Sequence, residues 1–320
     1  MLILCYLWSF NEVRAQDVHF SQIDVNPTLF DPAYSGFFDG QGRLGLDYRN
    51  QWASISEPFQ TFAITAEMSI LRSKRQRYGI NLGLFAYHDL AGALNYGTTA
   101  ADIILSVHKA LSSRGHNLIS LAASLGVGQF GFDDSRTDMT IHETFDINRS
   151  TFFNLGLGVA YFHQFHDDLY IKFGLSGQHL NEPNISYLGL DDTYLIRKFN
   201  GYIRSEWRCT DNVALLPVAA LQLQRKYSEL IYGIDLKWYY DESFDHQTSF
   251  IGGVLFRQSD AIIFDLGIDY RSFTFAFTYD ANISKLASAS HTIGAFELGI
   301  VYRINPASHN RRKAIACPVF

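Results

Sequence analysis

"SFTFAFTYD", residues 272–280, decides the fold. Phe273, Phe275, Phe277 and Tyr279 fall on one side of an extended chain. Ser272, Thr274, Ala276, Thr278 and Asp280 fall on the other. A period of two belongs to a β-strand, whereas a helix repeats its apolar positions every three to four residues. The preceding stretch does the same: Ile262, Phe264, Leu266, Ile268 and Tyr270 oppose Ala261, Asp265, Gly267 and Asp269. So do 153–161, with Phe153, Leu155, Leu157, Val159 and Tyr161 on one face, and 293–304, with Phe296, Leu298, Ile300 and Tyr302.

Working outward, the same period predicts strands near 41–53, 58–70, 77–88, 95–109, 116–130, 151–165 and 168–180. It continues at 197–209, 212–224, 229–239, 247–257, 260–270, 272–281 and 293–304, about fourteen in all. The stretch 197–224 alternates poorly. The strands run about 11–15 residues, while soluble strands average about 5–6 and strands that cross a bilayer need about 9–11 in hydrocarbon alone. No window approaches the roughly 18–20 apolar residues of a membrane helix.

Alternation does not say which face is inside. In a soluble sandwich the apolar faces meet. In a membrane barrel they point outward, and the small and polar faces line the lumen. Strand length, a secretory leader and aromatics near strand ends favour the barrel. Those aromatics are Tyr48, Trp52, Tyr87, Trp238, Tyr239, Tyr270 and Tyr302, and such rings suit the membrane–water interface. The leader is residues 1–15, "MLILCYLWSFNEVRA", an apolar stretch ending in Val13-Arg14-Ala15 before Gln16; its alternative is a buried first strand. Cleavage there would remove Cys5 and leave Cys209 and Cys317, which are too few and too far apart for a disulfide framework. The expected fold is all-β: a transmembrane outer-membrane β-barrel of about fourteen antiparallel strands over 41–304. An irregular segment, 16–40, precedes it, and a tail, 305–320, follows. Connections after even-numbered strands are short, and several after odd-numbered strands, such as 131–150 and 181–196, are long. Barrels keep short turns in the periplasm, which would put the irregular segment and the tail on that side.

The net charge of −6 offers no case for nucleic acid. His163 and His166, beside Asp167 and Asp168, have no further ligand at a supporting spacing; a polar turn explains them as well as a metal. Asp265 and Asp269 share a strand face as a catalytic pair would, but lumenal charges opposite Arg43, Arg49 and Arg257 account for them equally. No phosphate loop or nucleophilic triad is legible, so no catalytic, cofactor or metal residue is assigned. In 43–52, "RLGLDYRNQW", Arg43, Asp47, Arg49 and Gln51 point into the lumen, where charges need partners or water. The irregular segment holds Asn26-Pro27 and Asp31-Pro32, then Tyr34 and Gly36. Proline fixes its own φ and pushes the residue before it into an extended conformation, so the segment reads as neither strand nor helix.

"QDVHFSQIDVNPTLFDPAYSG" from residue 16, followed by "YRNQW" at 48–52, resembles the PorP/SprF family. "HLNEPN" at 179–184, "GAFELGIVYRI" at 294–304 and the terminal Cys317-Pro318-Val319-Phe320 add to the likeness. Asp31 and Ser35 depart from the more usual Asn and Ala or Thr, and both suit a turn. The resemblance implies a non-enzymatic outer-membrane barrel beside the type IX secretion or gliding machinery, helping a large adhesin-like protein to be exported or held at the surface. Its partners would be outer-membrane lipid, those components and that surface protein. The alternative is a transport barrel for a small solute. On this resemblance 16–40 is a plug or docking strip anchored by Phe20, Phe30, Tyr34, Phe37 and Phe38, with Asn26, Pro27, Pro32 and Gly36 shaping it. The plainer alternative is a lead-in to the first strand.

Overall fold

The computed structural model describes residues 17–38, 40–53, 57–73, 78–92, 96–112, 116–131, 149–186, 193–241, 247–284, 287 and 292–304. The leader, the tail with Cys317, and most of the connection 131–150 lie outside the described residues.

The strands are β1 (Gly42–Gln51), β2 (Phe59–Arg72), β3 (Tyr78–Ala91), β4 (Tyr96–Ala110), β5 (Asn117–Gly131), β6 (Arg149–His166) and β7 (Leu169–Gln178). Then come β8 (Lys198–Thr210), β9 (Val213–Gln224), β10 (Tyr227–Asp241), β11 (Thr248–Arg257), β12 (Ala261–Tyr270), β13 (Phe273–Asn282) and β14 (Ile293–Ile304). Each pairs antiparallel with its sequence neighbour, and β1 closes on β14 from Gly42 opposite Ile304 to Gln51 opposite Ala295. Closure leaves no edge, which is what an all-β wall in lipid requires.

The apolar face points out. Phe273, Phe275 and Phe277 are exposed, as are Leu44 and Leu46 on β1 and Leu298 and Ile300 on β14. Trp207, Trp238, Tyr240, Tyr270 and Tyr302 ring the wall at the short-turn end. Tyr87 and Tyr239 break the expectation of interfacial aromatics. Tyr87 is buried in the lumen against Phe85, and the Tyr239 hydroxyl donates inward to Glu206. Both stand on the inward register of their strands, and packing partners inside decide their place.

The main core also sits in the lumen. Val18, Phe20, Ile23, Leu29, Phe30, Ala33, Tyr34 and Phe37 of the irregular segment cluster with Phe85, Ile104, Leu118, Phe162, Tyr202 and Val218 of the wall. This explains the poor alternation of 197–224: Tyr202, Leu216 and Val218 face inward under the segment, so both wall faces are apolar there.

Candidate functional site: the occupied lumen

The segment runs along the inside of the barrel. Asp17 lies at the long-loop end, with its carboxylate 3.1 Å from Lys198 Nζ and 3.2 Å from His179 Nε2. Burial works against that charge, but Lys198 and His179 outweigh it and hold the carboxyl well below the usual carboxylate range. Residues 35–36 lie toward the other end: Asn81 Nδ2 donates to Ser35 O at 3.3 Å, and Gly36 N to Glu67 Oε2 at 3.3 Å.

Contrary to the expectation that the segment holds no helix, it contains one turn of helix, α1 (Pro27–Phe30), and a 3-10 turn over Pro32–Tyr34. Each begins on a proline, whose missing N–H costs nothing at a helix start. Asn26, at φ −126° and ψ 61°, and extended Asp31, each preceding a proline and neither helical, separate these turns from the chain before them. Asp31 Oδ1 accepts from Ala33 N at 2.8 Å and so caps the 3-10 turn. Its carboxyl presses on Gly158 of β6, where a Cβ would lie 1.9 Å from Oδ1. Burial pushes the Asp31 carboxyl well above its ordinary range, and the Ala33 amide offsets only part of this. Gly36, at φ 94°, turns the chain where a Cβ would meet Asn81.

Asn26 does not cap α1. Its side chain is spent on the wall: Nδ2 donates to Asp47 Oδ2 at 3.0 Å, and Thr65 Oγ1 donates to Oδ1 at 3.0 Å. Tyr34 packs on Tyr202 at 4.5 Å between ring centroids, and Lys172 Nζ lies 5.3 Å over its ring. Phe20 and Phe30 are fully buried, and Phe37 and Phe38 are buried.

The lumenal charges pair, though not as the sequence suggested. Arg43 takes Glu67 at 2.8 Å. Arg49 takes Asp280 at 3.0 Å and also Glu297. Arg257 takes Asp280 at 2.7 Å and Glu229 at 3.3 Å. Asp269 is held by Lys237 at 2.7 Å and Arg303 at 3.4 Å, not by Arg43, Arg49 or Arg257. Asp265 stands across Gly253 from Asp235 and lines a cavity. Gln51 ends β1 one strand repeat beyond Arg49, half-buried.

Ser21 ties the segment into the Arg49–Arg257 cluster. Its amide donates to Glu297 Oε1 at 2.7 Å, and its hydroxyl accepts from Arg257 at 2.6 Å and from Arg49 at 3.1 Å. Gln22 N donates to Glu297 Oε2 at 2.9 Å. Glu297, Asp280, Glu229 and Glu67 were not singled out from sequence. Their inward parity was legible, but their convergence on one another was not, because barrel closure brings them together. His163 faces outward beside Asn117 and Phe165, and His166 ends β6 next to the exposed turn at 167–168, so the two do not converge. A cavity between the segment and the wall measures about 130 Å³ and is lined by Asp24, Tyr34, Lys172, Arg204, Asp235 and Asp265 among others.

The family model for the type IX secretion system membrane protein PorP/SprF matches residues 12–302. The chain belongs to the PorP/SprF family. No curated protein matches it. Among solved structures, this PorP/SprF chain resembles the Ralstonia pickettii toluene transporter TbuX at 12% identity, with TM-score 0.53 over 88% of this chain and 93% of that one. A Pseudomonas aeruginosa FadL homologue matches at 10% identity, TM-score 0.54, over 86% and 93%. The CymD monoaromatic hydrocarbon channel matches at 9% identity, TM-score 0.53, over 90% and 94%. At such identities the likeness is one of fold: this is an outer-membrane barrel of a type IX secretion family.

Proposed function

We propose that the protein is a non-enzymatic outer-membrane barrel that supports type IX secretion, or surface attachment, of a large adhesin-like protein. In this reading 16–40 closes the lumen and takes part in docking. The observation that carries it is the lumen filled by a segment outside the strand ladder, in a chain of a type IX secretion family. The stiff segment presents Asn26, Pro27, Pro32, Tyr34 and Gly36 as the shape, and Phe20 and Phe30 as the anchors. Arg43, Asp47 and Arg49, with Glu67, Asp280 and Glu297, form the lumenal frame.

A transport barrel for a small solute is the second reading, favoured by a cavity beside the segment and by the transporters that share the fold. Small-molecule sites measure about 300–1,000 Å³. The cavity beside the segment, about 130 Å³, is below that range, whereas a second one, lined by Asp47, Ala63, Tyr87, Ala100 and Gln129 among others, measures about 930 Å³ and falls within it. The experiment is affinity isolation of the tagged full chain from native outer membranes. Recovery of secretion or gliding components with one large surface protein supports the first reading. Their absence, with solute flux through the purified barrel, supports the second.

A further inference from the structure

The wall meets the segment's main chain at many points. Ser176 Oγ and Asn200 Nδ2 both donate to Phe30 O, the latter at 2.9 Å, and Gln178 Nε2 donates to Leu29 O. Ser106 Oγ donates to Ser35 O at 2.6 Å, and Arg43 Nη2 to Val25 O at 2.9 Å. Glu297 accepts two consecutive amides, Ser21 N and Gln22 N. These side chains come from β1, β4, β7, β8 and β14, so the donors and acceptors are spread around the wall. Each is buried or half-buried, where an unmet polar group is costly. Main-chain groups are common to every polypeptide. Side chains of the segment are also read: Asp17 by Lys198 and His179, Ser21 by Arg49 and Arg257, Asp24 by Arg204, Asn26 by Asp47 and Thr65, and Tyr34 by Tyr202.

We propose that the lumen is a binding site for a polypeptide segment, held in cis by residues 20–36, and that a proline-turned segment of a second protein competes for it. The ligand class is a peptide that turns at prolines, offers carbonyls to Ser176, Asn200 and Gln178 and amides to Glu297, and places an aromatic ring on Tyr202. The segment is joined to the ladder only from Gly42 onward, so it can leave without unpairing a strand. The cavity beside Tyr34, Phe37 and Phe38 gives an entering chain a place to start. A cis ligand lowers the apparent affinity of a trans one by the fraction of time the site is vacant.

The test uses the full chain in lipid nanodiscs and a fluorescent synthetic peptide, FSQIDVNPTLFDPAYSG, residues 20–36. Asn26→Ala weakens the cis ligand and leaves the wall intact. The peptide is expected to bind this variant at least tenfold more tightly than the unaltered chain. Adding Ser176→Ala and Asn200→Ala is expected to abolish the gain, and a scrambled peptide is expected not to bind. If Asn26→Ala fails to give a heat-modifiable barrel, Ser21→Ala replaces it. No binding to a correctly assembled variant, or equal binding with and without the cis weakening, overturns the proposal. The inference extends the secretion reading without depending on it. A barrel that co-isolates with secretion components yet refuses the peptide keeps that reading and loses this one.

Discussion

Glu297 has no exposed surface and satisfies Arg49 together with the amides of Ser21 and Gln22. Glu297→Ala therefore strands two N–H groups and leaves the buried Arg49 to share Asp280 with Arg257. Removing one partner of a buried pair costs about 3–5 kcal/mol. Faster amide exchange at 21–23, with the strand amides still protected, is the expected result. Asp31 gives a pH dependence of opposite sense to an ordinary paired carboxylate. Its docked form keeps the proton at a pH where the free segment has lost it. Its contribution to docking is thus fully present below about pH 4, the ordinary aspartate pKa, and is lost as pH rises toward the elevated value. His19, pushed down to about 4 by loss of the water around it, contributes in the opposite sense between about pH 4 and 6.5. Asp31→Asn should remove the falling component and leave only the rise due to His19, read as rate-corrected amide protection at Ala33 and Tyr34 between pH 4 and 8. Phe275 and Thr274 test which face meets lipid. Arg at the exposed Phe275, two residues inside the ring of Tyr270 and Tyr302, should cost about 1–2 kcal/mol, between the midplane and interface values for a lipid-facing charge. Arg at Thr274, on the lumenal face beside Asp269, should cost less in urea titrations of the barrel folded in lipid.

At the scale of elements, period-two reading placed all the strands, because each long strand has one apolar face outward; the ends fall within two residues except at β3, which runs three residues further, to Ala91. It faltered where an element meets something other than lipid. Over 197–224 the wall must be apolar inside to receive Tyr34 and its neighbours, so the alternation blurs. Tyr87 and Tyr239 mislead for a related reason: an aromatic at a strand end reads as interfacial until the lumen is known to be packed. The ion pairs were not legible either. Arg49 and Glu297 are 248 residues apart, and only the β1–β14 seam makes them cross-strand neighbours. Orientation follows from the connections. In a background lacking the chain's three cysteines, Ser186→Cys between β7 and β8 should react with an impermeant label on whole cells. Ser73→Cys, after β2, should not react until the outer membrane is permeabilised. The reverse pattern would invert the barrel.

The molecule as a whole is two pieces with separate hydrogen-bond systems. One is a closed ladder of fourteen strands, which satisfies its own backbone. The other is a short segment whose main chain is met by side chains of the wall. Deleting 21–36 should therefore leave strand pairing intact while vacating the lumen, whose exposed wall of Arg43, Arg49, Glu67, Asp280 and Glu297 is fit for water. Ion conductance in a planar bilayer tests this most directly. The full chain should be closed, and the 21–36 deletion should insert as a heat-modifiable barrel and conduct. A full chain that conducts as freely as the deletion, or a deletion that cannot assemble a barrel, would contradict the account.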